Sequence, residues 1–464
     1  MPIEKKRKLL LINPICADNM GISVNQGQRY PPLGLGMVAA LTPETWDIEI
    51  LDEVFDPYDY SGNFRDADLV GLTAFTFTVN RAYEIAGVYR KKGIKTIIGG
   101  IHASMLPDEA IQFVDSVVVG EAEGVWAQVI LDFEEGNLKP RYEGGLCELK
   151  GQPKPRHDLF HPGYWFASIQ TTRGCPMNCS FCSVTSFNGN HYRMRPVDEV
   201  LDEIETVQHK NMIFFVDDNI IGYGKESRQH ALSIFRGMVE RGITKQWFSQ
   251  ASINFAESDE VMQAASESGC RLILLGIEAE KAEQLKEANK MLNAGKVDSY
   301  GTIFRRIHRH NISILGTFIF GLDSDTVRSM RDRVKYILNS GVDSYMTTIL
   351  TPLPGTVLFN RLQKEGRLLK TEYPDDWSNY QFTNVVFNPK NISPKELMDE
   401  MMINWGKLYN LRTIRWKTFR TFLNQRNWNF SKWFKTGVEA TGWAYYTNWH
   451  YHQYMKIKAK NKKY

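Results

Sequence analysis

Thr172-Arg173-Gly174-Cys175-Pro176-Met177-Asn178-Cys179-Ser180-Phe181-Cys182 is the stretch on which the reading of this chain turns. Its thiols are spaced Cys-x3-Cys-x2-Cys, directly after an apolar run, Phe166 to Thr172, that reads as a strand. Three thiolates on one short loop can take three corners of a cubane 4Fe-4S cluster. With no fourth cysteine nearby, one iron stays open to an outside ligand. A closed zinc site would want a fourth Cys or His; His191 follows downstream, but the usual tight pairs are missing. Three incidental buried cysteines are the remaining alternative. Cys16, Cys147 and Cys270 are scattered, and six cysteines in 464 residues make no disulfide framework.

Beyond this loop, apolar runs alternate with helical patterns. Strands are expected at Met212 to Val216, Trp247 to Ile253, Arg271 to Ile277, Ile312 to Phe320 and Val342 to Leu350. Six such units predict a partial (β/α)6 barrel over 165–355, with its chemistry at the C-terminal ends of the strands. Upstream, runs such as Leu9 to Asn13, Ala67 to Thr73, Lys95 to Ile98 and Ser116 to Val119 alternate with helix-like stretches. Uninterrupted apolar strands joined by helices are what a parallel sheet covered on both faces requires, so 1–140 reads as a doubly wound, Rossmann-like α/β domain. Residues 141–164 are Gly- and Pro-rich and read as a linker. Residues 356–464 read as a helical, aromatic and basic region.

The overall charge of +3 implies no polyanion-coating protein. From Arg412 onward, however, 12 basic side chains face one acid, Glu439, and are interleaved with Trp416, Trp428, Trp433, Trp443 and Trp449. That pattern suits a peripheral contact with a lipid surface, plain helical packing with a solvated basic face, or, less well, nucleic acid. No run of apolar residues approaches a membrane span. The start, Lys5 to Ile12, has the charge of a signal peptide, but Asn13-Pro14 stop its apolar run, so it reads as a first buried strand. Clustered thiols without a secretion signal point to a reducing, cytoplasmic location, with the inner membrane face as a possible address for the tail.

The Cys175, Cys179, Cys182 triad after a first barrel strand resembles the radical SAM enzymes. The resemblance implies a 4Fe-4S cluster whose open iron chelates S-adenosylmethionine, and reductive cleavage to methionine and a 5′-deoxyadenosyl radical. It also implies an electron donor such as flavodoxin or ferredoxin. Asp217 and Asp218 stand where the family holds the methionine end of the cofactor, although the usual Gly-Gly-Glu is absent. Gln250 and Ser252 point to the same rim, Glu278 suits the ribose hydroxyls, and Gly316 offers a backbone edge for adenine. Each has a plainer alternative: a helix cap, an ion pair or strand packing.

In the first domain, Thr73, Gly99-Gly100-Ile101-His102-Ala103 and Gly120-Glu121-Ala122-Glu123 close the successive strands. Ahead of the triad, this series resembles the cobalamin-binding domain of one large radical SAM subfamily. Glycines there let backbone approach a long nucleotide tail. The Asp-x-His-x-x-Gly string that ligates cobalt through histidine is missing, so the resemblance implies no histidine below the cobalt. His102 is a candidate for touching corrin or nucleotide, or for a hydrogen bond within its loop. A methylthiotransferase is disfavoured, because only Cys16 precedes residue 147.

The expectation is thus a cobalamin-dependent radical SAM methyltransferase acting on an unactivated carbon of a hydrophobic lipid or tetrapyrrole. Cyclisation, ring contraction or oxidation on the same scaffold is the alternative, and a non-catalytic cluster-and-cobalamin sensor a third. Trp377, Tyr380 and Phe382 are expected either at the substrate or in the core.

Overall fold

The structure is a computed structural model that describes residues 6–15, 30–60, 64–425 and 433–461; Cys16 and Trp428 lie outside the described residues. Six parallel strands form the first sheet, in the order β2-β1-β3-β4-β5-β6. They are β1 (Arg7–Asn13), β2 (Trp46–Asp52), β3 (Leu69–Thr73), β4 (Lys95–Gly99), β5 (Ser116–Gly120) and β6 (Arg141–Gly145). Alternation along β1 explains the double layer. Leu9 and Leu11 enter a core with Leu35, Trp126 and Ile130, whereas Leu10 and Ile12 enter another with Val79, Ala82 and Ile85. Each side chain points opposite to its neighbour, so a fully apolar strand needs helices on both sides. The order reverses between β1 and β3, the position at which such sheets bind ligands beyond their carboxyl ends.

The expected linker begins instead with β6, paired in parallel with β5 from Val117↔Arg141 to Val119↔Glu143. This edge strand, Arg-Tyr-Glu-Gly-Gly, buries little beyond Tyr142. It therefore carries no apolar run, which is why composition reads it as a loop.

After residue 165 comes the second parallel sheet, in the order β14-β13-β12-β11-β10-β7. Its strands are β7 (Phe166–Ile169), β10 (Met212–Phe215), β11 (Gln246–Ala251), β12 (Cys270–Glu278), β13 (Ser313–Phe320) and β14 (Ser344–Ile349). Between β7 and β10 a short antiparallel pair, β8 (Thr172–Arg173) and β9 (Arg193–Met194), brackets the cysteine loop. β7 and β14 are the two edges, so this is an open six-stranded barrel. Helices 197–206, 225–240, 259–267, 300–308 and 327–339 pack on its outside in one continuous core.

The region after 356 performs two structural tasks. Trp377 and Tyr380 are buried against the first domain with Val79, Ala82 and Tyr83, so these aromatics belong to the core; Phe382 is exposed. Helix 438–461 crosses the N-terminal end of the barrel. There Trp443 fills the interior with Phe166, Phe248, Leu272 and Leu315 and donates to Gln246 Oε1 at 2.8 Å. The barrel is thus plugged at the bottom, leaving its strand ends at the other rim for chemistry. No described helix is long and apolar enough to cross a membrane.

Candidate active site between the two sheets

The cysteine loop is shaped by backbone. Gly174 has φ +93°, and a Cβ there would run into the His191 carbonyl, so only glycine fits ahead of Cys175. Cys175 N donates to Gly189 O at 3.2 Å, Ser180 N to Ala288 O at 3.1 Å, and Leu358 N to Ser180 O at 2.8 Å. The Asn289 side chain adds a bond to Asn178 O at 2.8 Å. The loop is therefore clasped from three sides while its thiols, all partly buried, stay free of disulfides.

Burial raises the pKa of all three thiols, that of Cys182 to about 12. Unmetallated, they would be protonated, and a bound metal centre would supply the positive charge that thiolates need. Tetrahedral zinc at about 2.3 Å per sulfur requires sulfurs roughly 4 Å apart. Among the described residues the only trio of His, Cys or acidic ligand atoms lying within 4.8 Å of one another is Glu121, Glu123 and Cys147. The three loop thiols form no such compact trio, and as three thiolates on one loop they suit the corners of a cubane cluster. The compact trio already has its cations: Arg193 pairs with Glu121, and Arg173 with both Glu121 and Glu123.

Around this loop the expected cofactor residues divide. Asp217 is wholly buried and accepts from Thr171 N at 3.1 Å, Thr171 Oγ1 at 2.8 Å and Thr172 Oγ1 at 2.5 Å. It ties the end of β7 to that of β10 through Oδ1, which takes all three bonds, while Oδ2 shares only the Thr171 N–H at 3.2 Å. Asp218 accepts from Asn188 Nδ2 at 3.0 Å beside the cysteine loop, and burial raises its carboxyl to about 6. Ser252 is taken up by the Asn219 side chain, which accepts from its N–H at 3.3 Å and donates to its hydroxyl at 3.2 Å. Gln250 is half-buried, and its carbonyl accepts from Ile220 N at 2.9 Å. Gly316 faces the helix layer: a Cβ there would meet Ile277 and Val342 at 2.9 Å.

Glu278 sits at the end of β12 with φ +63°, a backbone state costly for a non-glycine residue. Its carboxylate accepts from Lys290 Nζ at 2.8 Å and from Thr317 Oγ1 at 3.1 Å. Gly276 makes the room, since a Cβ there would lie 2.5 Å from Lys290 Nζ. Burial opposes the Lys290 charge, but Glu278 and the neighbouring Cys179 more than offset it and raise its pKa. Lys290 and Thr317 escaped the sequence reading. The lysine belongs to no motif, and the threonine was hidden inside an apolar strand.

On the other side, β3, β4 and β5 end in the loops read from the sequence. A cavity of about 400 Å3 lies over them, lined by Thr73, Phe75, Gly99, Gly100, Gly120 and Glu121 from the first domain. From the barrel side come Gln170, Arg173, Asn188 and Val216, residues that flank the cysteine loop, so the two domains line one space. Gly100, at φ +92°, would place a Cβ 2.8 Å from Thr73 Oγ1, and Gly120, at φ +79°, a Cβ 2.9 Å from Gly145 O. At both positions a side chain would collide with adjacent atoms of the same domain, so these two strand ends require glycine. Phe75, 60% exposed, presents an apolar face to that space.

His102 is absent from this lining. Its ring is buried, Nδ1 at 3.2 Å from Thr76 Oγ1 and Nε2 at 3.2 Å from Glu109 Oε1, edge-on to Trp377 at 5.3 Å. Both ring nitrogens have hydrogen-bond partners within the first domain, as the loop-hydrogen-bond alternative expects. Glu121 likewise faces a structural partner. Burial would raise its pKa, but the Arg193 hydrogen bonds and the Arg173 charge pull it below the usual carboxylate range.

Comparisons with known proteins agree with this geometry. Residues 21–130 match the B12 binding domain family and residues 169–337 the Radical SAM superfamily. The bacteriochlorophyllide d C-12(1)-methyltransferase of Chlorobaculum tepidum is 30% identical over 91% of this chain and 94% of its own. The bacteriochlorophyllide d C-8(2)-methyltransferase of the same organism is 28% identical over 85% of this chain and 88% of its own. The radical S-adenosylmethionine methyltransferase TsrM of Kitasatospora setae, solved with tryptophan substrate and a SAM analogue, superposes with a TM-score of 0.67 at 17% identity, over 98% of this chain and 99% of that one. A cobalamin domain set rim to rim against a three-cysteine barrel, with a relative similar from end to end, places the chain in the B12-binding radical SAM enzyme family, whose cofactors are a 4Fe-4S cluster, S-adenosylmethionine and cobalamin.

Proposed function

We propose that this enzyme transfers a methyl group from S-adenosylmethionine, by way of cobalamin, to an unactivated carbon of a hydrophobic tetrapyrrole, drawing its electrons from a flavodoxin or ferredoxin. The observation that carries the reading is the shared cavity: the cobalamin-side rim, Thr73 to Gly100, and the cluster-side residues Arg173 and Asn188 line one space. When bound, the cofactors supply a 5′-deoxyadenosyl radical and a transferable methyl group. The chain's part is to hold and orient. Cys175, Cys179 and Cys182 would bind three irons, and Glu278 with Lys290 presents an anchored acid and ammonium beside them for the polar end or the ribose of S-adenosylmethionine. Gly99, Gly100 and Gly120 would seat the cobalamin, and the plugged barrel floor excludes water from below. Two relatives named for methylation of bacteriochlorophyllides support a macrocyclic substrate.

The test is anaerobic turnover of the reconstituted enzyme with S-adenosylmethionine labelled in its methyl group and bacteriochlorophyllide d as the probe. The expected outcome is label in a methylated macrocycle. Deoxyadenosine formation with a product that never carries label would overturn methyl transfer in favour of cyclisation or oxidation. A failure to cleave S-adenosylmethionine at all would favour a sensor.

A further inference from the structure

The helices that close the barrel floor have outer faces of an unusual kind. Helix 411–424 turns Ile414, Lys417, Thr421 and Gln425 inward and leaves Trp416, Phe419 and Leu423 exposed, Trp416 by 53% and Phe419 by 54%. Helix 438–461 buries Ala440, Trp443, Ala444, Thr447 and Asn448 and leaves Val438, Tyr445 and Trp449 outward. A surface helix ordinarily shows solvent a charged or polar face. Single exposed apolar residues need no explanation, but six on two helices packed together do.

Their position is fixed by the strand starts. Ser313 Oγ donates to Ala440 O at 2.8 Å, Asn448 Nδ2 to Asp343 O at 3.1 Å, and Lys417 Nζ to Val342 O at 2.9 Å. All three contacts lie where β13 and β14 begin. The outer faces therefore look away from the cysteine loop and the cavity, and whatever covers them leaves the active-site rim free.

Charge identifies the occupant. Lys407, Arg412, Arg415 and Lys435 are exposed around these stripes and enter no ion pair among the described residues. The one acid after Arg412, Glu439, is tied to Arg271 at 2.6 Å, so it does not neutralise them. A second copy of the same face would set like charges against each other. Tryptophan and phenylalanine amid arginine and lysine match the headgroup level of an anionic bilayer, where rings sit at the acyl boundary and basic side chains meet lipid phosphates.

We propose that helices 411–424 and 438–461 form a docking face for an anionic membrane surface, holding the enzyme by its barrel floor with the active-site rim turned toward the aqueous side. The test is co-sedimentation of the full-length holoenzyme with phosphatidylcholine vesicles and with mixed phosphatidylcholine–phosphatidylglycerol vesicles. Binding is expected to be at least about tenfold stronger to the anionic vesicles and to weaken with added salt. Trp416→Ser/Phe419→Ser/Leu423→Ser should lower it about tenfold, and Arg412→Glu/Arg415→Glu should abolish the preference for anionic lipid, both with unchanged iron and cobalamin content. Equal binding to both vesicles, undiminished binding by both variants, or tight binding of single-stranded oligothymidylate in place of vesicles would overturn the proposal. So would a concentration-dependent dimer that the triple serine variant dissolves. Vesicle binding is read without turnover, so its failure is separable from any failure of the methyl-transfer assay.

Discussion

Arg173, the residue immediately before Gly174-Cys175, donates from Nη2 to Glu123 Oε1 at 2.5 Å, and so joins the cluster loop of one domain to the cobalamin rim of the other. The same guanidinium is 3.3 Å from Glu121 and bonds Gln170 at 2.8 Å, and it is largely buried. Burial disfavours its charge, and the two carboxylates reverse that and raise its pKa. Removing one partner of a buried pair leaves the other charge uncompensated, which typically costs about 3 to 5 kcal/mol. Arg173→Met is expected to lower cobalamin retention and cluster occupancy together, measured as bound corrin and iron per chain after gel filtration. Loss of one cofactor alone would mean that the two domains are not coupled through this pair.

The three loop cysteines and the two other described cysteines should separate cleanly. Cys175→Ala, Cys179→Ala or Cys182→Ala is expected to abolish the iron–sulfur absorbance and cleavage of S-adenosylmethionine, because two thiolates cannot hold three irons. Cys147→Ala and Cys270→Ala should leave both intact. Cys270 is buried among apolar side chains, and Cys147 lies next to Glu121, with its thiol pushed up by burial. Iron content with visible spectroscopy is the check.

At the end of β12 an effect on cofactor binding is expected beside the stability cost of splitting a buried pair. Glu278→Gln or Lys290→Met removes half of the anchored pair beside the thiols, and the affinity for S-adenosylmethionine should drop about tenfold, as for one charge-assisted hydrogen bond. Isothermal titration of the cluster-loaded enzyme measures it. An unchanged affinity would assign the pair to support of the cysteine loop.

The Cys triad and the glycine-ended strands were legible because each carries a local rule: thiol spacing, positive φ at Gly100 and Gly120, and uninterrupted apolar runs. The roles of Asp217 and Ser252 were not legible. Whether a polar group at a strand end faces a ligand or a neighbouring loop depends on partners 46 and 33 residues away, Thr171 and Asn219. His102 is the same case: Trp377 and Glu109, which fix its ring, meet only when the C-terminal region folds back. β6 failed for a simpler reason, since an edge strand with one buried side chain has no apolar signature.

Glu109 provides the pH dependence. It accepts from Tyr83 at 2.9 Å and Trp377 Nε1 at 2.8 Å and meets His102 at 3.2 Å, which joins the C-terminal region to the first domain. Burial pushes its carboxyl up, but these hydrogen bonds and His102 outweigh that, and its pKa lies below the ordinary value of 4.5. A carboxylate held below its unfolded pKa adds stability that is complete above the unfolded value and disappears as pH falls through the folded one. Urea midpoints should therefore fall as pH drops below 4.5. Glu109→Gln should start from a lower midpoint at neutral pH and show a shallower acid slope. An equal slope in wild type and variant would place the acid sensitivity elsewhere.

Lys417 shows how the floor helices are held to the barrel. Its ammonium lies inside the protein and donates to Ile337 O at 2.8 Å, Val342 O at 2.9 Å and Ser340 O at 3.4 Å, the carbonyls at and beyond the end of helix 327–339. Ile337 O lies in the last turn of that helix, where it also accepts from Ser340 Oγ at 3.0 Å, and the helix's negative end favours a cation there. Desolvation works against the charge and lowers the lysine pKa to about 7. Lys417→Met keeps the length and removes the donor, leaving buried carbonyls unsatisfied at a cost of about 1 to 3 kcal/mol. The folded lysine pKa lies below its unfolded value, so the unfolded chain binds the extra proton between about 7 and the ordinary lysine range, and stability rises with pH across that window. The methionine variant should lose that rise along with its lower midpoint. A wild-type stability that is flat from neutral to mildly alkaline pH would mean that the three carbonyls hold the ammonium charged in spite of its burial.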